Sequence, residues 1–370
     1  MDGQGRGLKL PLRTTRYGTG CPRSGLSTLV QPLRHHAMVS ETTRLFNSAI
    51  GASAIAASFE LGLLEEIHAK GSLDIEAFCE ANNLSVWSVT SILKVLHRFD
   101  IAAVSADNKT ATPATEFKDC YMDKGYFMWL IQGYGHLLHN LGTIVKEGRC
   151  TPDGIGRDGK YIAMSGRDYG GHYVDPIFTK VMNAEPFTVA ADLGCGSAER
   201  LMGLARARPD FRGVGVEVNK GAVDLARRSI RQAGLEDRVQ VVHCDVKNLV
   251  FQPEFEDVEV LFCFFMGHDL WPRPNCLKAF RSIRAAFPAL KRFLFSDTYR
   301  SDLPVPGETP IFTLGFEFTH DLMGQFIPNV AEWEDLFKEA GWDCRGRHDL
   351  DIAYSAIFDL RVAGDGAAGQ

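Results

Sequence analysis

A glycine turn with an acid on either side of it carries the first chemistry legible in this chain. Residues 189–219, VAADLGCGSAERLMGLARARPDFRGVGVEVN, place Asp192 at the end of a short apolar run, Gly194 and Gly196 in the turn, and Glu217 at the end of a second apolar run. Glycines let a backbone come close to a ligand, and a carboxylate about 20 residues further on suits the hydroxyls of a ribose. The expected ligand is nucleotide-like. Because G-C-G-S-A-E lacks the third glycine of a dinucleotide fingerprint, a pyrophosphate is disfavoured.

Positioning that turn requires strand, turn, helix and strand in succession. The apolar run before Asp192, the amphipathic run from Glu199 to Ala207 and the run closing on Glu217 supply them, which makes the C-terminal part α/β. At 370 residues the chain has room for two domains. Residues 1–37 carry six Lys/Arg and one acid among Gly, Pro, Ser and Thr, and read as a disordered basic leader. They are Arg-rich like a transit peptide but lack its amphipathic period, and an upstream translation start before Met38 is an equal alternative. Residues 38–150 read as a helical domain and 151–364 as the ligand-binding domain.

Within the helical part, Leu45, Ile50, Ile55, Phe59, Leu63 and Ile67 form one amphipathic stripe. LDIEAFCEANNL and SVWSVTSILKVLHRFDI follow as two helices joined by a short turn, and AAVSADNKTATPA as a polar hairpin, the order of a winged helix. With only Lys94, His97 and Arg98 on the second helix and a net charge of −6, a dimerisation and pocket-covering role is preferred to DNA binding. Nine scattered cysteines without a C-x-x-C pair suggest reduced thiols and a cytoplasmic protein, and no apolar run approaches the roughly 18 residues of a membrane span.

The phrase D-L-G-C-G-S resembles motif I of the class I S-adenosylmethionine (SAM) methyltransferases, with Ala198 in place of the last glycine. That resemblance implies a Rossmann-like SAM domain in which Asp192, Gly194, Gly196 and Glu217 bind the cofactor, with Asp245 and Val246 at the adenine. A winged-helix-like all-α dimerisation domain ahead of it is similar to the small-molecule O-methyltransferases. Their phrase H-D-W-x-D-x-x-C-L-K is matched by His268-Asp269 and Cys276-Leu277-Lys278. It implies a homodimer and, at His268, a general base for a phenol, a task that suits an imidazole titrating near neutrality.

A second histidine, His320, stands in FEFTHDLMGQF, where a segment closing over the substrate is expected. GHD followed by H-x-x-x-G-Q looks like a smaller branch, the α-keto acid C-methyltransferases, which include enzymes of the phenylpyruvate type that supply peptide natural products. That likeness implies His268 and His320 as ligands of iron, or of zinc or nickel, with the keto acid chelating the ion. A Lewis acid on the ketone oxygen would make the neighbouring carbon acidic enough to deprotonate and attack the sulfonium methyl. Asp269 is left as proton acceptor, orienter, further ligand or helix cap. For the substrate carboxylate an arginine is expected, Arg167 first and Arg157 second. Phe264, Phe265, Met266 and the run from Tyr126 to Tyr134 are candidates for an apolar wall around side chain and methyl donor.

Overall fold

The computed structural model describes residues 40–147, 155–301 and 309–364. The expected leader, residues 1–37, lies outside the described residues. From Leu45 onward the chain groups as one compact unit.

The stripe expected from Leu45 to Ile67 is divided into α1 (Glu41–Glu60) and α2 (Leu63–Lys70). Gly62, at φ 77°, ends the first, and the two are bent by 70°. Ile55, Leu63 and Ile67 are buried as the pattern requires, whereas Leu45, Phe46 and Ile50 stay exposed. Next come β1 (Leu73–Asp74), α3 (Ile75–Asn82), α4 (Val86–Arg98), β2 (Ala102–Val104) and β3 (Thr110–Pro113). Asp74 and Ser85 cap α3 and α4 by accepting from the N–H groups of Ala77 and Ser88. These short strands form a small antiparallel sheet of order β1-β3-β2 beside the helices that make up most of this part.

Five helices lead to the main sheet: α5 (Phe117–Met128), α6 (Gly135–His139), α7 (Leu141–Glu147), α8 (Gly159–Tyr173) and α9 (Asp175–Met182), with a π-helical turn at Trp129–Gly133. Although Tyr126, Trp129, Tyr134, Leu137 and Ile144 precede residue 150, they share a core with one face of that sheet. Apolar burial, not chain order, decides where these helices dock.

The sheet is built from β4 (Val189–Leu193), α10 (Glu199–Ala207), β5 (Arg212–Glu217), α11 (Lys220–Gln232), β6 (Val239–His243), β7 (Val260–Phe264), α12 (Arg273–Ala286), β8 (Arg292–Thr298), α13 (Thr313–Leu322), α14 (Val330–Glu339), β9 (Trp342–Asp349) and β10 (Ser355–Val362). Its strand order is β6-β5-β4-β7-β8-β10-β9. The first five strands in that order pair in parallel, while β10 runs antiparallel to β8 and β9. β4 and β8 are buried at every position, as strands covered on both faces must be. After β4 the chain crosses to β5 on one side, and β7 returns on the other, so a ligand crevice opens at the C-terminal end of β4. Among the described residues no single helix is long and apolar enough to cross a membrane, and seven cysteines are free.

Candidate active site

The glycine turn opens at that crevice. Gly194 has φ 78°, and a Cβ there would lie 3.1 Å from Met266 Sδ, so both backbone sign and space call for glycine. Gly196, at φ 52°, donates its N–H to Glu217 Oε2 at 3.0 Å, and Glu217 Oε1 accepts from Asn219 N at 2.8 Å. The acid at the end of β5 is thus tied to the turn. Ala198, standing where the last glycine is expected, also adopts a left-handed backbone, φ 62°, and is fully buried. Asp192 is buried beneath the turn. Burial pushes its carboxyl up to about 7, with Arg200 opposing the rise and Glu217 adding to it. At the end of β6, Asp245 Oδ1 accepts from Lys247 N at 2.9 Å, capping the 3-10 turn that starts at the buried Val246. Phe264 ends β7 under the Arg200 guanidinium, 4.2 Å from its ring centre.

His268 lies on a 3-10 turn, Gly267–Leu270, just past β7. It is buried, its backbone N–H donates to Asp297 Oδ2 at 2.8 Å, and its Nδ1–H donates to Asp297 Oδ1 at 2.8 Å. Asp297 closes β8 and also accepts from Thr298 N at 2.8 Å. Gly267 makes this possible: a Cβ there would sit 2.1 Å from Phe295 Cζ and 2.6 Å from Asp297 Oδ2. Burial alone would depress the His268 pKa, but the Asp297 carboxylate outweighs it and holds the imidazole above its ordinary value.

His320, on α13, is buried against the same ring. The two imidazoles are 4.9 Å apart between centroids and nearly perpendicular, at 88°. His320 Nδ1–H donates to Phe316 O at 2.6 Å, one turn back on its helix, and its Nε2 is buried without a hydrogen-bond partner. Burial and the neighbouring His268 hold its pKa down at about 3, so the ring is neutral. Both Nδ1 atoms are spent on protein acceptors, which fixes each tautomer while its ring is neutral and leaves Nε2 as the lone-pair nitrogen. Among the described residues no three His, Cys, Asp or Glu side chains group as a metal site.

Asp269 faces an arginine. Its Oδ2 accepts from Arg157 Nη2 at 3.0 Å and its Oδ1 from Gln325 Nε2, while Arg157 also bonds to Tyr134. Burial would raise the Asp269 pKa, but His268 and Arg157 overcome it and keep the carboxylate ionised. A third side of the site is aromatic. Phe312 packs 4.9 Å from Trp129, 5.1 Å from Phe316 and 5.4 Å from Tyr126, and Phe316 lies tilted against His320 at 4.1 Å.

The chain therefore assembles the expected histidines, Asp269 and part of the aromatic run, but separates the two arginines. Arg157, the second choice, is the one at Asp269. Arg167, the first choice, donates to Ser197 Oγ at 3.0 Å and so stands beside the glycine turn. Asp297 carries no expectation from the sequence, and Tyr134 only its place in the aromatic run expected to wall the pocket. An acid ending an apolar strand, as in RFLFSDT, is the signal already used for Asp192 and Glu217 and would have marked Asp297.

A model described as a methyltransferase domain matches residues 190–287. The chain is 34% identical over 330 residues to methyltransferase ungE' of Aspergillus campestris, covering 86% of this chain and 96% of that protein. It is 26% identical to the indolepyruvate C-methyltransferase of Streptomyces griseus over 87% of this chain and 95% of that one. The solved structure of the mitomycin 7-O-methyltransferase MmcR shares the fold, with a TM-score of 0.61 at 18% identity, over 87% of this chain and 97% of that one. The glycine turn at the switch point, the acid tied to it and a relative matched over nearly its whole length lead to one conclusion: the chain belongs to the class I SAM-dependent methyltransferases.

Proposed function

We propose that the enzyme methylates the β-carbon of an α-keto acid, and that His268 and His320 hold a metal ion for this purpose. The observation that carries the reading is the partnerless Nε2 of His320, buried beside His268 on an imidazole kept neutral. A buried polar atom without a partner costs roughly 1–3 kcal/mol, so it calls for a ligand. Two imidazole lone pairs fit iron, with zinc or nickel as substitutes, and leave coordination positions for a bidentate substrate. When bound, such an ion would supply Lewis acidity at the ketone oxygen. Each remaining task falls to the chain. Arg157, oriented by Asp269 and Tyr134, pairs with the substrate carboxylate in place of Arg167. Trp129, Tyr134, Phe312 and Phe316 enclose the substrate side chain and exclude water. Gly194, Gly196, Glu217, Asp245 and Val246 hold SAM so that its methyl faces the carbon, and Phe264 lines the donor side.

The Streptomyces relative, named for a keto acid and for C-methylation, agrees with this reading. The exposed Leu45, Phe46 and Ile50 of α1 supply an apolar face for a homodimer, and the role that follows is a cytoplasmic one in making precursors of peptide natural products. One observation favours a second reading. The His268–Asp297 pair, which strengthens the imidazole as a base, also suits metal-independent O-methylation of a phenol. Metal analysis of wild type, His268→Ala and His320→Ala, purified without nickel columns, separates the two. About one ion per chain, lost in both variants, with turnover of phenylpyruvate, is the expected result. A metal-free wild type that methylates phenols and tolerates His320→Ala would establish the second reading instead.

A further inference from the structure

We infer that Arg167 binds the carboxylate of the cofactor's amino-acid tail, and that a buried ion pair between Lys124 and Asp168 positions it from the N-terminal helices. Glu217 and Asp245 mark the ribose and adenine end of the crevice at β5 and β6, so the tail of SAM extends from the turn toward β7 and α8. That tail carries an ammonium and a carboxylate. Asp192 and Glu217 surround the turn with acid groups, which leaves the carboxylate in need of a cation. Arg200, the other arginine beside the turn, is engaged with Asp175 at 2.9 Å and with the Phe264 ring. Arg167 is exposed, reaches Ser197 Oγ, and has no carboxylate within 4 Å among the described residues. Its guanidinium has the planar set of donors that a carboxylate takes.

The residue next to it explains how α8 is held. Asp168 points away from the turn and accepts from Lys124 Nζ on α5 at 2.5 Å. Lys124 is only 2% exposed, with its ammonium 4.0 Å from the Tyr121 ring centre and 4.9 Å from that of Phe59. Gly125 lets the two helices approach this closely, since a Cβ there would lie 2.8 Å from Asp168 Oδ2 and 3.2 Å from Ser165 O. Two residues further along α8, a Cβ at Gly170 would lie 3.2 Å from Arg200 Nη2. The helix is thus gripped by α5 on one side and laid against the cofactor turn on the other. Lys124 and Asp168 act as positioning residues, and Arg167 as the ligand-binding one.

The test compares SAM with decarboxylated SAM, which differs from it only in lacking the carboxylate, by titration calorimetry without any methyl acceptor. The outcome is independent of whether the acceptor is a keto acid. Arg167→Met should weaken SAM on the order of ten-fold, a modest effect for an exposed pair, and leave decarboxylated SAM unchanged. Arg167→Lys should restore part of the preference. Because a lone change at Lys124 strands two carboxylates, those of Asp168 and of Glu65 4.0 Å from the same ammonium, the triple variant Lys124→Met/Asp168→Leu/Glu65→Gln removes all three charges together. It should lose part of the same preference with its circular dichroism unaltered. Equal weakening of both ligands by Arg167→Met, or no weakening of either, would overturn the assignment. A triple variant with full discrimination would overturn the positioning role.

Discussion

Replacing Gly267 with alanine should dismantle the histidine site without removing a single polar atom. Its φ is not among the left-handed values, so the demand for glycine is one of space. The added Cβ would fall 2.1 Å from Phe295 Cζ, 2.5 Å from its Cε2 and 2.6 Å from Asp297 Oδ2. Phe295 is 1% exposed and wedged between Trp333 at 4.8 Å, Phe280 at 5.3 Å and Phe337 at 5.5 Å, so its ring has nowhere to go. The turn must lift instead. Overpacking of this kind costs about 1–3 kcal/mol. Lifting also stretches both hydrogen bonds from His268 to Asp297, and a bond to a charged group is worth roughly 1.5–3 kcal/mol. With one of the two lost, the total is about 2.5–6 kcal/mol. Urea unfolding followed by circular dichroism measures it, and turnover should fall at least 100-fold if His268 is displaced by an ångström. Gly196→Ala serves as the comparator: its Cβ meets nothing within 4 Å, so it carries only left-handed strain of about 1–2 kcal/mol. A Gly267→Ala protein within about 0.5 kcal/mol of wild type and at full turnover would refute the packing argument.

Arg157→Met should raise the acceptor's KM roughly 10- to 100-fold while SAM affinity stays unchanged, whereas equal effects on both would count against a carboxylate contact. Asp297→Asn removes the charge that orients and strengthens His268, and kcat should fall about 10- to 1,000-fold with little change in SAM binding, read from steady-state kinetics. Asp192 has a folded pKa of about 7, above its unfolded value, so the fold favours its protonated form. The resulting stabilisation is complete below about pH 4 and disappears as pH rises through about 7, a change on the order of 2–4 kcal/mol. Urea midpoints between pH 4 and 8 should therefore show a shallower decline in Asp192→Asn than in wild type, and parallel curves would contradict the assignment.

Much of the cofactor half was legible because its determinants are local. Gly194 and Gly196 stand where the backbone turns left-handed, and short apolar runs flanking them have the length and burial of parallel strands. Ala198 shows the limit of that reading, since it takes the same left-handed backbone without being glycine. The stripe of α1 and α2 looked continuous because Gly62 interrupts it without breaking its spacing. Leu45 and Ile50, which the period puts on the buried side, remain exposed. The order of Arg157 and Arg167 was not legible either. Both lie close to the same helix, and only the packing of α8 against α5 and the glycine turn sends one to Asp269 and the other to Ser197.

What the sequence by itself determined is the class of fold, the glycine turn with Glu217 behind it, and the two histidines as the residues worth watching. Backbone sign, strand period and an acid at a strand's end are properties of neighbours in the chain, and neighbours are what a sequence records. The tertiary structure decided the pairings: Asp297 with His268, Arg157 with Asp269, Lys124 with Asp168, and His320 with His268. Each joins side chains from elements distant in sequence. Such contacts exist only after apolar burial has docked those elements, so their energies depend on a geometry that no local pattern encodes.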